Sequence, residues 1–362
     1  MRRRYVVLSV ILIAVLMVST YFFVENDVLN ISSKQTLTIF CATSLEYPLN
    51  KVDADFMAAN PDVNVEMMGH GSIQVIRQVT ELDQRVDLLM VADYSLIPMM
   101  MYNTVDSQTK QAYADYYIRF ATNKLVLAYT NSSVDANEIN ASNWCQILTQ
   151  PNVRLGLVNP ELDSLGYRSL MAIQLAQDYY GVKDLFLNLV TNNFSPPISS
   201  IPNGSNYTIS VPDVQTPVGN KIILRASEVD LIALLQTGYL DYCFLYESNA
   251  KQYGFNYIEL PDQINLGNPA YASNYQRINI VYAHQRFETV TLDRTGEPIY
   301  YGLTIPSNAP NPQLAEEFVQ FMLNGQGKTD FAQAYQPVFC PSYTDNIKAL
   351  PPSLQSLVTA EP

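Results

Sequence analysis

An α/β fold in two lobes, with a ligand cleft between them and a transmembrane anchor ahead of them, is what this sequence predicts. Three observations carry that reading. Short apolar strands alternate with amphipathic helices, which is the pattern of a mostly parallel sheet. The alternation restarts after Phe120-Ala121-Thr122-Asn123. The 362 residues are 48% hydrophobic and 15% charged, enough chain and enough apolar surface for two packed cores.

Taken in order, Arg2-Arg3-Arg4 precedes Tyr5 to Val24, an uncharged run of about 20 mostly apolar residues that matches a bilayer core. Phe22-Phe23-Val24-Glu25 lacks the small residues of a signal-peptide cleavage site, so residues 1–24 read as an uncleaved anchor. The arginines put its start in the cytoplasm and the body outside the cell membrane. Residues 25–35 are polar and read as a stalk. Thr36 to Phe40 alternates as a first strand, followed by the turn Cys41-Ala42-Thr43-Ser44 and a helix with Leu49, Val52, Phe56 and Met57 on one face. Val63 to Met67 is a strand. Gly69-His70-Gly71-Ser72 opens a helix carrying Ile73, Ile76, Val79 and Leu82, with Ser72 suited to cap it. Val86 to Val91 is a strand and Ser95 to Met101 a short helix.

In the second half, Lys124 to Tyr129 and Leu155 to Val158 are strands, with a helix around Trp144 to Leu148. A helix runs from Gly166 to Tyr180. Residues 191–220, rich in Asn, Ser, Pro and Gly, read as a long surface loop. Ile222 to Arg225 is a strand, Glu228 to Gln236 a helix ending at Gly238, and Tyr242 to Tyr246 a strand. Ile278 to Tyr282 is expected to lead back toward the first lobe. Asn311 to Tyr335 is helical, with Leu314, Phe318, Phe321 and Met322 as its apolar stripe, and covers that lobe. The chain thus divides into a first lobe of residues 36–120 and 278–345, a second lobe of residues 121–277 and a tail of residues 346–362.

A net charge of -13 without a basic stripe excludes nucleic acid as a partner. The two histidines, His70 and His284, are too few for a zinc site or a histidine-based triad. Cys41, Cys145, Cys243 and Cys340 form no CxxC pair, and they read either as free thiols or as holding one disulfide. No cofactor is implied. Six Asn-X-Ser/Thr triplets, at Asn30, Asn131, Asn140, Asn193, Asn203 and Asn206, permit glycosylation of an exported body.

Ligand crevices in such sheets lie at the carboxyl ends of strands, where helices begin. Five short sites fall there: Thr43-Ser44, Gly71-Ser72, Asp163-Ser164-Leu165, Glu228 and Tyr246. Each has a local explanation as well. Ser44 and Ser72 suit helix caps, Tyr246 is one of 25 tyrosines, and a carboxylate at a helix start gains about 0.3–1 kcal/mol without any ligand. The strand-to-helix turn Asn159 to Ser169 is the most informative. Its backbone amides suit an anion, yet it also carries Asp163.

At this point the residues resemble the archaeal tungstate/molybdate-binding proteins, the extracytoplasmic receptors of ABC importers for oxyanions. The likeness covers about residues 36–340. It rests on Gly71-Ser72 with Arg77 to Leu82, Val91 to Pro98, Phe120 to Asn123, Gly166-Tyr167-Arg168-Ser169 and Leu260 to Gly267, in the family's order. The resemblance implies a periplasmic-binding-protein-like fold of type II and a monomer that delivers tungstate or molybdate to permease and ATPase subunits. It also implies that Thr43, Ser44 and Ser72 hold the ligand from one lobe, and Asp163, Ser164, Leu165, Glu228 and Tyr246 from the other. The carboxylates of Asp163 and Glu228 are then expected to reach the metal of the oxyanion itself. This chain departs from the family's Asp-Pro-Cys-Gly at Asp163-Ser164-Leu165-Gly166, and it has Thr43 where a glycine is usual.

Metal contact resolves the conflict between an anion and two carboxylates. At 4 Å each charge pair repels by about 1 kcal/mol in water and by more in a cleft. Hard oxygen donors suit a highly charged metal centre, whereas sulfate and phosphate have no such coordination to gain. The alternatives are a receptor for sulfate or ferric ion, and a hydrolase using Asp163 and Glu228 as an acid/base pair. The second lacks an aromatic sugar platform, since Trp144 is the only tryptophan.

Overall fold

The computed structural model describes residues 34–283 and 293–361. The expected anchor and nearly all of the stalk lie outside them, as does His284. Among the described residues no helix is long and apolar enough to cross a membrane.

The strands of the first half are β1 (Gln35–Ala42), β2 (Val63–His70), β3 (Leu88–Val91), β4 (Ile118–Thr122), β5 (Leu125–Tyr129), β6 (Leu155–Val158), β7 (Ser199–Asn203) and β8 (Asn206–Val211). They are followed by β9 (Ile222–Arg225), β10 (Tyr242–Tyr246), β11 (Asn256–Glu259), β12 (Ile278–Tyr282), β13 (Arg294–Thr295), β14 (Tyr300–Thr304), β15 (Val338–Thr344) and β16 (Val358–Ala360). The helices that matter below are α1 (Glu46–Ala59), α2 (Ser72–Thr80), α3 (Ser164–Tyr180), α4 (Glu228–Gln236), α5 (Pro312–Asn324) and α6 (Gln326–Gln333).

A seven-stranded sheet, ordered β16-β15-β4-β14-β3-β1-β2, is the heart of the first lobe. β1 runs parallel to β2 and β3, with Ile39 opposite Leu88. All four residues of β3 are buried, as a strand covered on both faces requires. Phe56 of α1 meets Phe318 and Phe321 of α5 edge-on, with ring centres 5.1 and 5.4 Å apart. The helices after Asn311 do cover the first lobe. A break at Gly325 divides them into α5 and α6.

The second lobe is a five-stranded sheet, β11-β5-β10-β6-β9. Its long helix α3 is buried from Ser164 to Ala176 and ends at Gly181, whose φ of 63° makes the left-handed cap that glycine adopts readily. Only Asn123 and Lys124 separate β4 of the first sheet from β5 of the second.

Three elements differ from expectation. Residues 191–220 are not all loop, for β7 and β8 form an antiparallel hairpin turning at Gly204. Tyr207, Ile209 and Val211 do alternate, but the surrounding Ser, Asn and Pro masked the period. β12 pairs with β8 and β13 in a four-stranded sheet, so the strand that re-enters the first sheet is β14. Residues 346–362 include β16, which runs parallel to β15 and buries Val358. All four cysteines are free, and only Cys340 is exposed.

Candidate functional site

Every candidate site residue is buried. β1 runs directly into a 3-10 turn, Thr43–Leu45, that feeds α1. The Ser44 hydroxyl lies 3.2 Å from the hydroxyl of Tyr301, which donates to it. Its carbonyl accepts from Asn249 of the other lobe at 3.2 Å. The Thr43 hydroxyl is buried without a hydrogen-bond partner among the described residues.

Ser72 does not cap its helix. Gly71 holds the cap position, and Ser72, the first helical residue, turns its hydroxyl inward to accept the Ala92 amide at 3.1 Å. Glycine at position 71 follows from the approach of the lobes. A β-carbon there would stand 2.3 Å from the Leu162 carbonyl oxygen and 2.9 Å from the Asp163 β-carbon. Just beyond, the Gln74 amide donates to that same carbonyl at 3.3 Å.

On the facing side, Asp163 caps α3 with extended backbone, and its Oδ1 accepts the Leu165 amide at 2.9 Å. The replacement of the family's proline has therefore not released this carboxylate from the helix end. Ser164 contacts Ser72 across the cleft at 3.4 Å and the Tyr246 hydroxyl at 3.1 Å. Glu228 begins α4, and its Oε1 accepts the Tyr246 amide at 3.4 Å. The described residues thus bring Ser72, Asp163, Ser164, Leu165, Glu228 and Tyr246 into one connected group. Ser44 joins through Tyr301, whose ring packs edge-on to Tyr246 with centres 5.8 Å apart. Thr43 adjoins only through the backbone.

Burial raises the Asp163 carboxyl to about 6, against the pull of the Leu165 amide and the Arg168 guanidinium. The Glu228 carboxyl lies well above its usual range, from burial first and then from the charges of Asp163 and Glu46. Burial also pushes the phenols of Tyr246 and Tyr301 upward, so both hold their protons. The group offers neutral hydroxyl donors, the amino end of α3 and two carboxyls that a suitable partner can draw into ionised form.

Sequence reasoning missed Arg168, Tyr301, Glu46 and Asn249. A signal existed for Arg168, a guanidinium on an otherwise apolar stretch of helix one turn after Ser164. The tyrosine pair had none, because Tyr246 and Tyr301 meet only through the tertiary fold.

Residues 37–334 match the family model described as bacterial extracellular solute-binding protein. An uncharacterized solute-binding protein of Methanococcus maripaludis is 34% identical over 328 residues, covering 91% of this chain and 89% of the relative. The molybdate/tungstate-binding protein WtpA of Thermococcus kodakarensis is 35% identical over 339 residues, covering 89% of each chain. The solved periplasmic molybdate-binding protein of Azotobacter vinelandii aligns with a TM-score of 0.53 at 14% identity, over 83% of this chain and 98% of that one. At that identity the likeness speaks for the fold alone.

Proposed function

The chain belongs to the bacterial extracellular solute-binding proteins, and from that premise we propose that it captures tungstate or molybdate and delivers it to an ABC importer. The likeness to WtpA over 89% of both chains supports the ligand class. The observation that carries the reading is a pair of buried carboxyls, Asp163 and Glu228, within a ring of hydroxyl donors. Sulfate or phosphate entering there would meet the same donors and the carboxylates' repulsion, with no bond to the carboxylates to offset it. An oxyanion of a heavy metal can accept carboxylate oxygens as further ligands and draw both groups into ionised form.

Lobe closure about the Asn123-Lys124 crossing traps the ligand, which shifts the population by its preference for the closed form. The anchor at residues 1–24 holds the body outside the cell membrane, where it works as a monomer beside the permease. Calorimetry on the purified protein tests the ligand. Molybdate and tungstate should bind at micromolar concentration with sulfate and phosphate silent, and silence toward both metal oxyanions would refute the proposal.

Ferric ion is the rival worth separating, because Tyr246 and Tyr301 pair in space although they are far apart in sequence. Iron binding needs two phenolates free to turn to the metal, whereas the Tyr246 oxygen accepts Arg168 and the Tyr301 hydroxyl donates to Ser44. Tungstate should therefore displace any bound iron, and the reverse result would favour iron.

A further inference from the structure

Five hydrogen bonds close a ring across the cleft. The Ala92 amide donates to Ser72 Oγ at 3.1 Å, and Ser72 Oγ lies 3.4 Å from Ser164 Oγ. Ser164 Oγ lies 3.1 Å from the Tyr246 hydroxyl. Arg168 Nη1 donates to that hydroxyl at 2.8 Å and to the Ala92 carbonyl at 2.7 Å, which closes the ring. Ser72 and Ala92 come from the first lobe, and Ser164, Arg168 and Tyr246 from the second. Arg168 is the ring's one charged member and is 2% exposed.

Donor counting gives the ring a direction. The backbone amide enters at the oxygen of Ser72 and the guanidinium at the oxygen of Tyr246. Neither uses a hydroxyl proton, so Ser72 can donate to Ser164 and Ser164 to Tyr246, which spends two of the three protons within the ring and leaves the third, on Tyr246, to give. A phenol that accepts from a guanidinium is also a stronger donor through its own proton. Arg168 cannot turn aside. Its Nη2 stands 3.6 Å from Asp93 Oδ2, which also takes Arg294 Nη2 at 2.6 Å and the Tyr167 hydroxyl.

We propose that Arg168 is the positioning residue of this site: it aims the Tyr246 hydroxyl at the bound oxyanion and clamps the second lobe to Ala92 of the first, so that capture and closure are one event. Its charge also offsets the two carboxylates that face the ligand. The proposal rests on the oxyanion reading of the site, and wild-type protein separates the two. If wild type binds neither molybdate nor tungstate, the reading itself fails. If wild type binds and the variants bind equally well, only the role of Arg168 fails.

The test is a double-mutant cycle on the full chain with molybdate as ligand, read by calorimetry. Arg168→Gln is expected to weaken binding roughly 30-fold and Tyr246→Phe roughly 10-fold, the range for losing a hydrogen bond to a charged group. The double variant should be no weaker than Arg168→Gln alone, because the phenol acts through the guanidinium. Arg168→Lys keeps the charge but not the two-way bridge, and should recover only part of the loss. Additive losses in the cycle would overturn the proposal, as would full recovery by lysine. Should Arg168→Gln fail to fold, Tyr246→Phe decides alone, with unchanged affinity the overturning result.

Discussion

The Asp163 carboxyl gives a test that depends on sign. Burial raises it to about 6, roughly two units above an ordinary aspartate, which corresponds to about 3 kcal/mol of disfavoured charge. A carboxyl raised by folding contributes stability that is fully present below its unfolded value of about 3.9 and is lost as pH rises through about 6. Metal coordination runs the opposite way, since the bond needs the carboxylate and binding must expel the proton. Between about pH 7 and about pH 5 the ionised fraction falls from roughly nine-tenths to roughly one-tenth, so this group alone should weaken molybdate binding about tenfold. Glu228, also raised, steepens the fall. Calorimetry in two buffers of different ionisation enthalpy reads both the affinity and the protons released. Asp163→Asn keeps an oxygen for the Leu165 amide and should flatten the profile. Carboxylates that merely repelled the anion would give tighter binding in acid, and that result would refute metal contact.

Three other perturbations separate binding from folding. Glu228→Gln should weaken tungstate binding by tenfold or more while the melting temperature holds or rises above neutral pH, because an amide escapes the cost of burying the charge. Equal affinity in that variant would remove Glu228 from the ligand's surroundings. Gly71→Ala places a β-carbon against the Leu162 carbonyl of the opposite lobe, so closure and affinity should suffer while denaturant stability changes little. Scattering that still reports ligand-induced compaction would contradict this. Among the cysteines, Cys340 should be the sole thiol labelled in the native protein, and labelling of buried Cys41, Cys145 or Cys243 would show that the lobes open further than their packing implies.

Much of the fold was legible because its strands are apolar runs with helical periods between them. Leu88 to Val91 and Tyr242 to Tyr246 are buried throughout, and such runs survive any neighbouring composition. The hairpin β7–β8 was not, because half of each strand faces outward and is built of the residues that also make loops. The carboxyls of the site were visible for a related reason, since a charge at a helix start is conspicuous on an apolar background. What faces them was hidden. Arg168 meets Ala92 across 76 residues and Tyr301 meets Ser44 across 257, and a helical period says which face a residue occupies without saying what lies opposite.

That hidden half bears on why a chain of net charge -13 can receive an anion. The global field opposes entry, so local donors must outweigh it. Three hydroxyls, the amino end of α3 and one buried guanidinium stand within a few hydrogen bonds of each other, where a low dielectric strengthens each of them. The same burial raises both carboxyls, which lowers the repulsion met by an arriving dianion. In the proposed mechanism a carboxyl that still holds its proton repels the arriving oxyanion less, and only a centre able to bind its oxygens would draw it into ionised form. Entry and discrimination would then use the same two groups in different protonation states, and the proton count on binding would tell those states apart.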